Sequence, residues 1–190
     1  EGLAGVNRGL SEELRTHKGL LGWYLSEEDS RSDIPVISAL REGVSAVDPD
    51  HPTFTLTYRL EDFPCYSKSG DISGVDVYPI RNPGPGSIEK LECGFDAAAQ
   101  AGLPVWPVIQ AFNPGIYNAT NREEMARFRS PTLEELRAMT LLYAIRGAKA
   151  FLFYSDYAIF DKGEKLDPGS SAGEWSKLVD TAAMLRRLEP

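Results

Sequence analysis

The chain has 190 residues, of which 42% are hydrophobic and 25% are charged, a composition typical of a globular domain rather than of a disordered or fibrous segment. Its formal net charge of −8 disfavours a nucleic-acid partner, because no cluster of basic residues offsets repulsion from phosphates. The longest apolar runs fall far short of the roughly 20 residues that a membrane-spanning helix needs. We therefore expect one globular domain over residues 1–190, with no membrane span.

The few cysteines and histidines give little sign of a cofactor or metal. Cys65 and Cys93 leave two alternatives, free thiols or one disulfide, and they lack the paired spacing of a structural zinc site. No cofactor is expected. The cellular compartment stays open, although the sequon Asn118-Ala119-Thr120 favours a secreted protein.

The first half of the chain predicts two helices and three strands. The helices cover 11–18 and 33–44, and the strands cover 20–25, 53–60 and 73–80. Asp33 is the expected N-cap of the second helix, and Pro35 suits its first turn.

The second half predicts three helices and two strands. The helices cover 87–102, 132–149 and 174–188, and the strands cover 103–110 and 150–155. Thr132 and Glu135 have the spacing of a capping box, and Gly102 suits the position after a helix end.

Strands that alternate with helices predict βαβ units and a parallel sheet. A doubly wound sheet and part of a (β/α)8 barrel are the two candidates, and the glycine fingerprint of a dinucleotide-binding sheet is absent. In a barrel the five strands would lie in sequential order, and we expect 20–25 and 103–110 to be buried on both faces.

Four segments carry a resemblance to a known family: HKGLLGWYLSEED (17–29), GVDVYPI (74–80), LPVWPVIQAF (103–112) and SPTLEELRAMTLLYAIRGAKAFLFYS (130–155). Together they resemble the C-terminal half of glycoside-hydrolase-like TIM barrels related to clan A. The resemblance implies that the predicted strands are strands 4 to 8 of such a barrel. Strands 1 to 3 would then come from elsewhere in the same protein or from another chain.

The resemblance also implies a site, because barrel enzymes place their chemistry at the carboxyl ends of the strands. Glu28 matches the family's general acid, and Asp76 is the candidate second carboxylate. The expected substrate-binding side chains are Trp23, Glu27, Tyr78, Gln110 and Tyr154. The expected partner is a poly- or oligosaccharide.

Three positions depart from the family pattern. Gln110 stands where the family has its nucleophilic glutamate, Glu27 stands where asparagine is usual, and Asp29 replaces a proline. A glutamine cannot form the glycosyl ester, so the second carboxylate is either Asp76 or the pair Glu61 and Asp62 after the second predicted strand. A structural interpretation also exists, in which the acidic run 27–29 caps the next helix.

Three functional hypotheses remain. The first is a glycoside hydrolase with Glu28 as acid, and the second is an inactive barrel that binds carbohydrate or serves as a structural or interaction domain. The third is a metal-assisted enzyme in which Glu28, Asp76 and Asp156 supply oxygen ligands to Mg²⁺ or Ca²⁺. The absence of histidine at the predicted strand ends counts against zinc.

Overall fold

The computed structural model describes residues 12–66, 69–81, 84 and 86–188. Its strands are parallel and are connected in sequential order, β1-β2-β3-β4-β5. They span Trp23–Glu27 (β1), Thr53–Leu56 (β2), Ile72–Val75 (β3), Val105–Gln110 (β4) and Leu152–Tyr154 (β5). This order confirms the predicted α/β class and part of a (β/α)8 barrel, since a doubly wound sheet would reverse its order partway.

Helices follow most strands. They span Ile34–Val47 (α1), Phe63–Tyr66 (α2), Ile88–Ala99 (α3), Gly115–Asn118 (α4), Arg122–Met125 (α5), Leu133–Ile145 (α6), Glu164–Leu166 (α7) and Ser171–Arg186 (α8), with a π-helix at Tyr157–Gly163 and 3-10 turns at Arg31–Asp33 and Leu60–Asp62. The predicted first helix, 11–18, begins outside the described residues, and within them only 12–14 are helical.

The chain folds as two compact units. Unit 1 consists of the residues up to Val75 together with Gly94–Trp106, and unit 2 consists of Asp76–Cys93 together with the residues from Pro107 onward. In unit 1, the Ser73 N–H donates to the Pro104 carbonyl over 3.0 Å, which links β3 to the start of β4. In unit 2, β4 pairs with β5 from Val108 opposite Leu152 onward.

Each unit has its own hydrophobic core. In unit 1, α1 packs against β1 and buries Ile37 and Val44, while β2 is buried along its whole length. In unit 2, α6 packs against α8 and buries Leu136, Met139 and Tyr143. Cys65 and Cys93 are both free thiols. Within the part of the chain that the structure describes, no helix has the length and hydrophobicity to cross a membrane.

Local helix signals are confirmed. The Thr132 side chain accepts from the Glu135 N–H over 3.2 Å, and the Glu135 carboxylate accepts from the Thr132 N–H over 2.9 Å, which is a complete capping box. Gly102 has a φ of +75° just after the end of α3, a conformation that glycine adopts without strain.

Strand boundaries differ more from the prediction. The first strand begins at Trp23 rather than at residue 20, because its ladder with β2 starts at the pair Trp23 and Thr53. The predicted strand 53–60 ends at Leu56, where the Thr57 hydroxyl accepts from the Arg59 N–H and turns the chain. The predicted strand 73–80 ends at Val75 in the structure. The last residue of this strand that pairs with β2 is Gly74, one position earlier.

The prediction that 20–25 is buried on both faces is wrong. Leu21 is 77% exposed and Tyr24 is 53% exposed, since β1 pairs with β2 on one side only. The corresponding prediction for 103–110 is confirmed over the strand itself. In β4 every residue is buried except Trp106, which is partly buried.

A buried carboxylate at the amino ends of the strands stabilises unit 1. Asp48 is 3% exposed, and it accepts hydrogen bonds from the Trp23 indole N–H over 2.9 Å and from His51 Nδ1 over 2.8 Å. We expect Asp48→Ala to lower the free energy of unfolding by about 2 kcal/mol, because the buried Trp23 donor and the half-buried His51 donor lose their acceptor. Urea denaturation measures this loss, and Asp50→Ala, a change at an exposed carboxylate nearby, should leave stability nearly unchanged.

The same carboxylate makes stability depend on pH. Burial by itself would raise the pKa of Asp48, but the hydrogen bonds from His51 and Trp23 outweigh it and hold that pKa below its ordinary value. A lowered folded pKa means that the stabilisation is present above the unfolded pKa of about 3.9 and is lost as pH falls through the folded pKa. An Asp48→Ala protein with the same acid sensitivity as the parent would contradict this assignment.

Candidate functional site

The carboxyl end of β1 is built around an unusual backbone conformation. Glu28 directly follows the strand with a φ of +56°, and it is the one non-glycine residue with positive φ in the described ranges. Such a conformation costs a residue with a Cβ about 1–2 kcal/mol, so the surroundings must hold it. The Glu28 N–H donates to the Leu56 carbonyl over 2.9 Å, which ties the residue to the end of β2.

Two side chains from the segment after β2 hold the carbonyls of this turn. Arg59 Nη1 donates to the carbonyl oxygens of Glu28 and Asp29, over 2.9 and 3.0 Å. The Tyr66 hydroxyl donates to the Asp29 carbonyl over 2.6 Å. Burial, the largest cause, raises the pKa of Tyr66, so its phenol stays protonated and remains a donor at neutral pH.

The acidic side chains at this strand end have different surroundings. The Asp29 carboxylate accepts from the Ser26 hydroxyl over 2.7 Å, and buried Asp62 forms an ion pair with Arg31. By contrast, neither Glu27 nor Glu28 has a hydrogen-bonded or ion-pair partner for its carboxyl group within the described residues. Glu27 is exposed and Glu28 is half-buried. The ion pair with Arg31 makes Asp62 a poor candidate for the second carboxylate.

Trp23 lies away from this group. It is the first residue of β1, so about four residues of strand, at roughly 3.3 Å each, separate it from the carboxyl end. Its indole N–H donates to Asp48, and the ring is buried. Trp23 is therefore a core residue at the opposite end of the strand, and we remove it from the proposed substrate-binding residues.

In unit 2, the first residue after β3 is a buried acid. Asp76 is only 3% exposed. Burial first, and the negative charge of Asp76 second, raise the pKa of the Tyr143 hydroxyl in α6. The structure thus places a carboxylate with low solvent exposure at the strand end where the sequence predicts one.

Gln110, the last residue of β4, uses its amide group within the protein. The side chain is fully buried; its Oε1 accepts from the Ile80 N–H over 2.9 Å, and its Nε2 donates to the Ile80 carbonyl over 2.6 Å. A third, longer contact of 3.3 Å joins Nε2 to the Phe112 carbonyl. Gln110 therefore holds the backbone of the segment that follows Asp76, and we do not assign its amide to ligand binding.

An aromatic cluster lies at the carboxyl ends of β4 and β5. The Tyr78 ring meets the Phe112 ring edge to face, with centroids 5.1 Å apart, and lies 6.0 Å from the Tyr154 ring. Phe112 also contacts Tyr154 and Tyr117, at 5.4 and 5.7 Å. Tyr78 and Tyr154 are half-buried and Tyr117 is exposed, so part of each of these side chains is open to solvent.

A cavity of about 370 Å³ adjoins this cluster within unit 2. Its apolar floor includes Phe112, Met125 and Ile159, and its polar lining includes Arg122 and Glu174. Arg122 pairs with Asp167 over 3.0 Å, so the cavity lining carries charges of both signs. The size falls in the range of small-molecule sites.

The metal hypothesis receives no support from this arrangement. In the described part of the chain, no group of three or more His, Cys, Asp or Glu side chains is placed to hold a metal ion. Asp156, the third proposed ligand, is exposed in the turn after β5.

Comparisons with solved structures find barrel enzymes. A β-galactosidase from the psychrophilic Marinomonas ef1 matches with a TM-score of 0.55 and 14% sequence identity, over 77% of this chain and 25% of that chain. A truncated 3-deoxy-D-arabino-heptulosonate 7-phosphate synthase from Thermotoga maritima (11% identity, TM-score 0.41, 99% of this chain and 82% of that one) also matches. A phospho-2-dehydro-3-deoxyheptonate aldolase from the same organism matches with 11% sequence identity and a TM-score of 0.40, over 96% of this chain and 65% of that chain.

The likeness to the β-galactosidase supports the fold alone, given the low identity, and this chain spans a quarter of that protein's length. The two lower scores add nothing to the assignment. No protein-family model matches the chain, and no curated protein matches it. The relation to clan A stays a prediction.

The sequence interpretation missed three side chains that shape these strand ends. Arg59 and Tyr66 follow a strand that was expected to continue to residue 60, so neither was read as part of a turn. Phe112 lies beyond the predicted strand 103–110 and was given no role, although its ring contacts three other rings of the aromatic cluster. A local signal existed only for Arg59, because a threonine two residues before it predicts a turn at that point.

Proposed function

We propose that the chain is part of a glycoside-hydrolase-like protein that acts on an oligo- or polysaccharide, with Glu28 as the general acid. The observation that carries the proposal is the strained backbone of Glu28 at a strand end. Strain of this kind persists where the surrounding structure fixes a functional residue. A half-buried carboxyl group without an internal partner in the described residues can donate a proton to a glycosidic oxygen.

Asp76 is the proposed second carboxylate. Hydrolysis by either stereochemical route needs a second acid, which acts as nucleophile or as base toward water. Asp76 follows a strand directly, and its low solvent exposure strengthens its electrostatic effect on a nearby positive charge. The transition state of glycoside hydrolysis resembles an oxocarbenium ion, which carries a positive charge.

Sugar recognition is assigned to the aromatic cluster of unit 2. Aromatic faces stack on the apolar faces of sugar rings, while tyrosine hydroxyls hydrogen-bond to sugar hydroxyls. Tyr78 and Tyr154 are half-buried, and both rings pack against Phe112.

A second candidate is an inactive barrel that binds carbohydrate without turnover. The observation that favours it is Gln110, whose amide is fully committed to the Ile80 backbone at the position where the resembled family has its nucleophile. An inactive protein would keep the aromatic cluster for binding and would need no proton donor.

One experiment separates the two candidates. The full-length protein is incubated with a panel of 4-nitrophenyl glycosides that includes the β-galactoside, and its binding to an oligosaccharide array is measured in parallel. Release of 4-nitrophenol supports the hydrolase, and binding without release supports the inactive barrel. If the protein neither binds nor cleaves any glycan, both candidates are wrong.

The aromatic cluster gives a prediction for binding. We expect Tyr78→Leu to weaken oligosaccharide binding about tenfold, because leucine keeps the apolar packing but removes the stacking face and the hydroxyl. Isothermal titration calorimetry on the best array hit measures the change. Phe160→Leu is the matched control, since Phe160 is an exposed aromatic residue of unit 2 that pairs with Trp175 outside the cluster. Equal losses in the two variants would remove the cluster from the site.

A further inference from the structure

We infer that Arg59 is a positioning residue that holds Glu28 in its catalytic conformation, an inference that rests on the role proposed for Glu28. Its Nη1 atom donates to the two successive carbonyls that follow the strained φ angle, those of Glu28 and Asp29. A cation that binds both carbonyls at once fixes the peptide plane between them. Hydrogen bonds from a charged donor are roughly twice as strong as neutral ones.

Glu28 is held by hydrogen bonds at both of its peptide groups. On the amino side, the Glu28 N–H is bonded to the Leu56 carbonyl at the end of β2. On the carboxyl side, Arg59 holds the Glu28 carbonyl. A residue held at both of its peptide groups keeps its Cα–Cβ direction, which limits the positions that its carboxyl group can reach.

Arg59 is itself held in place. The Thr57 hydroxyl accepts from the Arg59 N–H over 3.1 Å, and the guanidinium lies 5.2 Å from the centre of the Tyr58 ring. Both contacts are with residues of the same turn after β2, so this turn restricts the positions of the guanidinium group that binds Glu28. A preorganised donor of this kind retains the orientation of a reacting group.

A neighbouring arginine provides the matched control. Arg31 pairs with Asp62, and its Nη2 donates to the Glu61 carbonyl over 2.6 Å. It has no bond to the carbonyls of Glu28 or Asp29. Arg31→Gln therefore removes a similar charge from the same unit without opening the clamp.

Hydrogen exchange tests the clamp without any substrate. We expect Arg59→Gln to speed exchange of the Glu28 amide about tenfold, because loss of the clamp favours local opening of the turn. Arg59→Lys should restore part of the protection, and Arg31→Gln should leave it unchanged. An unchanged Glu28 amide in Arg59→Gln, or an equal increase in Arg31→Gln, would overturn the inference.

Kinetics with the cleaved 4-nitrophenyl glycoside give the second readout. Arg59→Gln should lower kcat about tenfold with KM changed less than about threefold, since misorientation of the acid affects the transition state rather than binding. An unchanged kcat in this variant would overturn the positioning role. If the parent protein shows no turnover, the proposed function fails, whereas the exchange experiment still decides whether Arg59 holds Glu28.

Discussion

Glu28→Gln is expected to lower kcat for glycoside hydrolysis by about 10²–10⁴-fold, the range that general acid catalysis contributes. The amide has nearly the same shape as the acid but cannot donate a proton to the leaving oxygen. Stability should hardly change, because no partner in the described residues loses a hydrogen bond and the main-chain contacts are retained. Single-turnover kinetics and urea denaturation of the same preparations measure both quantities.

The matched control for this prediction is Glu27→Gln. Glu27 is adjacent in sequence, is exposed, and likewise has no internal partner in the described residues, but it is the last residue of β1 rather than part of the turn that follows. Its substitution should affect KM more than kcat.

A substrate with a good leaving group, such as a 2,4-dinitrophenyl glycoside, should restore the activity of Glu28→Gln. Absence of that rescue, or an equal loss of kcat in Glu27→Gln, would argue against Glu28 as the acid.

Gln110→Glu is expected to destabilise unit 2 by about 3 kcal/mol or more at neutral pH, the cost of burying an unpaired charge. The new carboxylate would face the Ile80 carbonyl, which now accepts from the Gln110 amide over 2.6 Å. The change restores the residue that the resembled family uses as nucleophile, yet we expect no gain in hydrolysis. Chemical denaturation and the glycoside assay test the two parts separately.

The pH dependence of this variant gives a sharper test. A protonated carboxylic acid at position 110 could donate to the Ile80 carbonyl and accept from its N–H, so burial would raise the pKa of that group above its unfolded value of about 4.3. With a raised folded pKa, stability is highest below the unfolded pKa and is lost as pH rises through the folded pKa. The difference from the parent should therefore shrink near pH 4.

Gln100→Glu provides the control for Gln110→Glu. Gln100 lies just past the end of α3, where its side chain is exposed. The same chemical change there should cost only a few tenths of a kcal/mol, through the helix dipole. If Gln110→Glu cost as little stability as Gln100→Glu, or if it acquired hydrolytic activity, the role of Gln110 in holding the Ile80 backbone would be wrong.

Local sequence signals predicted the helices and the chain order well. The capping box of Thr132 and Glu135 and the positive φ of Gly102 depend on residues three or fewer positions apart, so the chain specifies them without long-range help. The alternation of apolar runs with amphipathic helices predicted a parallel sheet, and the family resemblance added the sequential strand order that the structure has. Glu28 follows β1 and Asp76 follows β3, but the predicted strand 73–80 had placed Asp76 inside a strand, so the tertiary structure decided where β3 ends.

What each candidate side chain contacts was decided only by the tertiary structure. The Trp23 indole binds a carboxylate 25 positions away, Gln110 clamps a residue 30 positions away, and Arg59 reaches Glu28 across 31 positions. Sequence periodicity predicts which face of an element is apolar, but strand register determines which polar atoms meet. The sequence therefore determined the class of fold and the candidate acids, whereas strand pairing made Trp23 a core residue, Gln110 a clamp and Arg59 a support for Glu28.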